Sequence, residues 1–222
     1  MNIKHLFSTA VLSIGLLVQP AHAQELKVKI TPELGSVEVK HNGKTVTIKR
    51  NQNNDNKVVD DFAKTSRNCP PFCIQPMSLA PGVETIGEVE MLEYLKKVSS
   101  GDKSVLVIDS RTPKWVKRGT IPGSINIPWV QLDTSRGAAP FDIVDILTDQ
   151  FDVKEQDDLF NYSDAKTLVL FCNGMWCGQS PANIRSLLEY GYPANKLKWY
   201  RGGMQNWSNL GFTTAKQSQK SN

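Results

Sequence analysis

Cysteine, histidine and charge of one sign are all scarce in this chain of 222 residues. Four cysteines are too few to build a disulfide scaffold, and a chain of this length buries an adequate core without one. Of three histidines only His41 lies beyond residue 23, so zinc held through imidazole has little to draw on. There is no Cys-x-x-Cys-His, which excludes covalent c-type haem. Twenty-six basic residues against 22 acidic ones leave a net charge of +4 with no long basic run, and no nucleic-acid footprint is expected. Past the N-terminus, no apolar stretch reaches membrane-span length. At 40% hydrophobic and 22% charged residues, the composition is that of a globular chain, not of a disordered or fibrous one.

The N-terminus has a short basic head, Lys4 with His5, and an apolar stretch from Leu6 to Val18. Ser8, Thr9, Ser13 and Gly15 interrupt that stretch, which is short for a membrane span. It ends in Ala21-His22-Ala23, the small-x-small pattern that signal peptidase accepts. Residues 1–23 therefore read as a signal peptide, cleaved after Ala23, rather than as an uncleaved anchor. The expected location is periplasmic, with no membrane contact after cleavage. In that oxidising setting Cys69, Cys73, Cys172 and Cys177, two closely spaced pairs, are candidates for chemistry rather than scaffolding.

Residues 24–82 read as a small β appendage followed by a connector rich in proline and cysteine. Alternation at Leu26, Val28, Ile30, Val37, Val39, Val46 and Ile48, around His41-Asn42-Gly43-Lys44, predicts a hairpin turning at Asn-Gly. From Val83 the texture changes. Helical spacing runs from Gly87 to Val98 and from Ile143 to Phe151, and short apolar strands are expected at Val105–Asp109, Ile125–Ile127, Thr167–Cys172 and Leu197–Tyr200. Ser180-Pro181 predicts a helix start with the serine as N-cap, and residues 214–222 read as a flexible tail. Strand alternating with helix implies an α/β fold around a mostly parallel sheet.

Within this frame one stretch concentrates chemistry, Cys172-Asn173-Gly174-Met175-Trp176-Cys177-Gly178-Gln179-Ser180. A cysteine ends a buried strand, a loop with two glycines follows, and a helix begins. The carboxyl ends of parallel strands are where α/β folds bind ligands. Backbone N–H groups curling into a helix N-terminus favour a thiolate and any anion beside it. Cys172 is the candidate nucleophile, with a depressed pKa. A buried structural cysteine is the alternative.

Four blocks in this order resemble the rhodanese-like family. Val107-Ile-Asp-Ser-Arg111 is similar to its strand ending in Asp-x-Arg. Gly119-Thr-Ile-Pro-Gly-Ser-Ile-Asn-Ile-Pro128 resembles its second signature, with Thr120 where histidine is usual. Leu168–Cys172 with the following helix resembles its nucleophile loop, and Arg201-Gly-Gly-Met-Gln-Asn-Trp207 its closing Gly-Gly-x-x-x-Trp. The resemblance implies a rhodanese-like domain over residues 83–213, with a twisted five-stranded parallel sheet and helices on both faces. It implies a single-domain sulfurtransferase in which Cys172 carries sulfane sulfur as a persulfide. The backbone of Asn173, Gly174, Met175, Trp176, Gly178, Gln179 and Ser180 would be the anion-binding loop, and Asp109 and Arg111 would be its structural support. No cofactor and no metal are implied. The partners would be a small sulfur-containing donor, a thiol or protein acceptor, and a periplasmic redox partner.

This chain departs from the family at two points. No charged residue lies between Cys172 and Ser180, and the nearest cation along the chain is Arg185, which argues against thiosulfate and for a persulfide or polysulfide donor. The sixth residue after Cys172 is Gly178 rather than arginine, so phosphate chemistry lacks its bidentate guanidinium. The loop also holds Cys177, which as a resolving thiol would displace hydrosulfide from a Cys172 persulfide and leave a disulfide. A thiol–disulfide oxidoreductase cycling these two cysteines and a non-catalytic sulfur-delivery or binding module are the alternative functions. Cys69 and Cys73 read as a local disulfide, a second redox pair, or part of a four-thiolate metal site.

Overall fold

A computed structural model describes residues 26–157 and 159–216. The expected signal peptide, residues 1–23, lies outside the described residues, as does the tail from 217. The strands are β1 Ser36–His41, β2 Lys44–Lys49, β3 Glu84–Ile86, β4 Val105–Asp109, β5 Ile125–Asn126, β6 Lys154–Gln156, β7 Leu159–Asn161, β8 Thr167–Phe171 and β9 Leu197–Tyr200. The helices are α1 Asp60–Ala63, α2 Glu88–Ser99, α3 Pro113–Val116, α4 Pro140–Asp145, α5 Gln179–Glu189 and α6 Gly203–Asn209. Five strands form one parallel sheet in the order β3-β9-β8-β4-β5.

The side-chain period of a strand is two, and a sheet covered on both faces buries both phases. On β8, Val169 and Phe171 enter one apolar cluster with Met91, Leu92 and Leu95 of α2 and Met204 and Trp207 of α6. Leu168 and Leu170 enter the other, with Ile143 of α4 and Ile184 and Leu187 of α5. The sheet is thus a septum between two cores, and its central strands β8 and β4 are buried along their length apart from the partly exposed Thr167 and Leu106. Helix α2 begins where the Glu90 carboxylate accepts the Gly87 N–H at 3.0 Å, satisfying one of the orphan donors of its first turn.

The hairpin turns at Asn42 (φ 49°) and Gly43 (φ 77°), positive at both central residues as a type I′ turn requires. Its first strand starts later than the alternation predicts. Leu26, Val28 and Ile30 stand outside the ladder because a turn intervenes, with Ile30 and Thr31 both donating to the Leu34 carbonyl. The Gln52 side-chain amide replaces a strand neighbour for Val28, donating to its carbonyl at 2.9 Å and accepting its N–H at 3.1 Å. The hairpin packs onto the rest of the chain. Val37, Val39 and Ile48 are buried in the same cluster as α2, and Gly123 donates to His41 Nδ1 at 3.1 Å.

Three further expectations are corrected. The helix read from Ile143 to Phe151 begins at Pro140 and, after α4, widens into a π-type turn over Ile146–Gln150. The tail is held at its near end, where Thr120 and Ala215 exchange N–H···O bonds of 2.8 and 3.0 Å. Ser180 does not cap α5: Gly178 occupies that position, and the serine side chain is turned inward.

Candidate active site

Strand β8 delivers Cys172 to its carboxyl end, and the loop to α5 wraps the sulfur. Helix α6 holds that loop from below, with Met204 and Gln205 donating to the carbonyls of Cys172 and Asn173 at 2.9 Å each. That approach explains the second glycine of the Gly-Gly pair. A Cβ on Gly203 (φ 54°) would lie 2.3 Å from the Cys172 carbonyl oxygen, a distance no side chain tolerates. Within the loop the Cys177 N–H bonds the Gly174 carbonyl at 2.9 Å, and the Trp176 indole donates to Gln205 Oε1 at 2.6 Å.

Cys172 and Cys177 are free thiols, both buried. The Ser180 hydroxyl donates to Cys172 Sγ at 3.1 Å, and Trp199 Nε1 donates to that same hydroxyl oxygen at 3.1 Å. The indole occupies an acceptor site on Ser180, so the serine proton is left to point at sulfur. Protonated Cys172 has the Cys177 carbonyl as its acceptor at 3.3 Å. Burial pushes the Cys172 thiol up. Hydrogen bonds from the Cys177 thiol, the Ser180 hydroxyl and the backbone N–H groups of Ser180 and Gly174 outweigh it and bring the pKa down to about 7. Burial and the neighbouring Cys172 sulfur push Cys177 well above the ordinary thiol range. The pair is therefore asymmetric: Cys172 ionises first, and Cys177 supplies a proton donor to it.

Behind the loop lies a buried ion pair. Arg111 Nε and Nη2 grip the Asp109 carboxylate at 2.9 and 2.7 Å, with both side chains 1% exposed. Two of the remaining guanidinium protons go to the Gly119 carbonyl (2.7 Å) and to Asn173 Oδ1 (3.3 Å), so the pair orients the first residue of the loop. Thr120, standing where the resemblance leads one to expect histidine, donates to Asp109 Oδ2 at 2.7 Å. Asp109 and Arg111 are closed off from solvent and tie elements together.

A cavity of about 380 Å³ opens over the loop. Of the residues read as the loop, Asn173, Trp176, Cys177, Gly178 and Gln179 line it, whereas Gly174, Met175, Ser180 and Cys172 itself are not among its lining residues. The Met175 carbonyl takes the Gln75 N–H at 2.8 Å, docking the connector onto the loop. Arg201 secures the same stretch by donating to the Gln75 carbonyl at 2.8 Å. Cys69 and Cys73 form a disulfide, with Cα atoms 4.6 Å apart. Bonded sulfurs are not thiolate ligands, so the four-thiolate metal alternative falls.

Sequence reasoning missed half of this cavity. Its outer wall is Arg67, Pro71 and Phe72 from the connector, with Trp115 and Trp129. Phe72 meets the Trp176 ring edge-on at 5.7 Å between centroids, and the Arg67 guanidinium lies 3.8 Å over that ring. Arg185 is the nearest cation along the chain, but Arg67 reaches the loop through space. The only signal in the sequence was the connector's position, ahead of a disulfide that stiffens it.

A model of the rhodanese-like domain matches residues 91–210, more than half of the chain. The chain belongs to the rhodanese-like domain family. This rhodanese-like protein is similar to a rhodanese-related protein of Thermoplasma volcanium, at 21% identity over 60% of this chain and 99% of that one, with a TM-score of 0.37. It is similar also to a human single-domain sulfurtransferase, at 20% identity over 56% and 95% of the two chains, TM-score 0.37. A Rhodopseudomonas palustris protein titled a possible tyrosine phosphatase shares 20% identity over 60% and 85%, TM-score 0.39. No curated protein matches. Arg67 and Phe72 lie outside the family match, so this rhodanese-like domain completes its cavity with residues from the preceding segment.

Proposed function

We propose that this protein is an exported, periplasmic sulfurtransferase that carries sulfane sulfur on Cys172. The observation that carries the reading is the Ser180–Cys172 contact within a loop that brings the thiol to about 7. At neutral pH roughly half of such a thiol is thiolate, against a few per cent of an ordinary cysteine. In the first half-reaction the Cys172 thiolate attacks the outer sulfur of R–S–SH. The S–S bond breaks, R–S⁻ leaves with the electron pair, and Cys172–S–SH remains. In the second, an acceptor thiolate attacks that outer sulfur and Cys172 departs as thiolate. No electron is gained or lost by the protein.

A second reading is favoured by one observation: Cys177 lines the cavity, and its carbonyl accepts from the Cys172 thiol at 3.3 Å. Attack by Cys177 on the inner sulfur of the persulfide would expel hydrosulfide and leave a Cys172–Cys177 disulfide, which a periplasmic dithiol would have to reduce. Cyanolysis separates these readings. A carrier releases thiocyanate from loaded protein in wild type and in Cys177→Ser, and nothing in Cys172→Ser. A resolving mechanism instead accumulates far more cyanolysable sulfur in Cys177→Ser than in wild type. A binding module releases none from any of them. Export is checked by the N-terminal residue of protein recovered from the periplasm, Gln24 if cleavage follows Ala23.

A further inference from the structure

Two of the cavity's walls hold nitrogen donors with nothing to bind. Arg67 Nε and Trp129 Nε1 are both buried atoms without a hydrogen-bond partner, and both belong to residues that line the cavity over the nucleophile loop. A buried donor left unpaired is costly, and each one in a native protein calls for an acceptor, which at a cavity wall a ligand can supply. The fork of Arg67 is otherwise held in place: Nη2 donates to the Asp61 carbonyl at 3.2 Å and the guanidinium rests on the Trp176 ring. Stacking accounts for the position of Arg67 and leaves Nε unexplained.

The surroundings say what kind of ligand this is. Arg67 is the only charged residue among those lining the cavity. The other two tryptophans also carry an arginine, with Arg118 4.9 Å from the Trp115 ring and Arg136 5.1 Å from that of Trp129. Arg118 is paired with Asp61, and neither it nor Arg136 lines the cavity, which leaves Arg67 as its cation. The rest of the wall is aromatic, and about 380 Å³ lies within the range of organic-ligand pockets, ~300–1,000 Å³. Thiosulfate would leave most of that space empty.

We infer that Arg67 Nε and Trp129 Nε1 form an anion subsite that selects, as sulfur donor, an organic persulfide bearing a carboxylate some atoms away from its sulfane sulfur. The carboxylate accepts from the two orphan donors, the organic body lies against Phe72, Trp115 and Trp176, and the persulfide end points towards the loop. This assignment rests on the sulfurtransfer reading for its chemistry but not for its binding. Arg67 is a specificity-determining residue and takes no part in bond making.

Binding is tested in the non-reacting Cys172→Ser protein with S-methylglutathione, a thioether of suitable size with free carboxylates, and with its dimethyl ester. The acid is expected to bind by titration calorimetry, and the ester at least about tenfold more weakly. Adding Arg67→Gln weakens the acid about tenfold or more, as loss of a charge-assisted bond does. Arg67→Lys restores part of the affinity, Trp129→Phe costs severalfold, and neither Arg67 change alters ester binding. Equal binding of acid and ester, an acid affinity indifferent to Arg67→Gln, or displacement of the acid by equimolar thiosulfate would overturn the subsite. The chemistry is read separately, as sulfur loaded onto wild-type Cys172 from glutathione persulfide. Failure there with the binding pattern intact removes the sulfurtransfer reading and leaves the subsite standing.

Discussion

Trp199 Nε1 and Cys172 Sγ are joined through one atom, the Ser180 hydroxyl oxygen, which lies 3.1 Å from each. A residue of the last sheet strand thereby fixes which way a hydroxyl proton points at the end of the adjacent strand. That proton is one of the groups stabilising the thiolate.

Ser180→Ala removes it. The Cys172 pKa is expected to rise from about 7 by about one unit, since a hydrogen bond to a charged group is worth ~1.5–3 kcal/mol and the remaining donors compensate in part. The ultraviolet absorbance of the thiolate, or the rate of alkylation against pH, reads this directly. In wild type both rise with pH through about 7 and level off above it. A titration unmoved by the substitution would remove Ser180 from the electrostatics of the site.

Arg111→Met leaves the Asp109 carboxylate buried without its partner and Asn173 without its donor. Breaking one half of a buried pair typically costs ~3–5 kcal/mol. A denaturant midpoint should fall accordingly. Asp109→Asn with Arg111→Met together should cost less than Arg111→Met alone, and a double-mutant loss equal to the sum of the two single losses would mean that the pair is not coupled.

Gly203→Ala forces a methyl group against the Cys172 carbonyl. The loop and α6 must part, so sulfur loading and stability are expected to fall together. Gly178→Ala, on the cavity wall, is the control for stability alone, because nothing lies within 4 Å of a Cβ there. Equal tolerance of both alanines would show that α6 does not position the loop.

His41 gives the hairpin a pH dependence. Burial lowers its pKa below 6.5, and its Nδ1 accepts the Gly123 N–H, which only the neutral, Nε2-protonated tautomer allows. The unfolded state therefore binds more protons, and the contribution is complete above about pH 6.5 and lost as pH falls through the lower folded value. Amide exchange of β1 and β2 should accelerate over that acid range, and His41→Gln should flatten the trend. Exchange independent of pH once the intrinsic chemistry is divided out would contradict it.

What was legible in the sequence follows from where the physics is local. β4 and β8 were readable because a strand buried on both faces must be an uninterrupted apolar run, and Val105–Asp109 was read with both ends right. β3 has three residues with one of them buried, and β6 and β7 pair as a mostly exposed hairpin, so neither carries a periodic signal. Ser180 was read as a cap because serine before proline obeys a local rule. Its actual partners are Cys172, just past the end of β8, and Trp199 on β9. Arg67 shows the same limit most plainly. Spacing along the chain says nothing of a guanidinium that crosses from a connector to stack on Trp176.

The most direct test of sulfur carriage is intact-protein mass spectrometry with peptide mapping, before and after exposure to an organic persulfide. The account expects one added sulfur atom on the Cys172 peptide, removed by a thiol, with the Cys69–Cys73 bridge unchanged. A Cys172–Cys177 disulfide with no added sulfur at any time point would contradict it and make the protein a thiol–disulfide oxidoreductase.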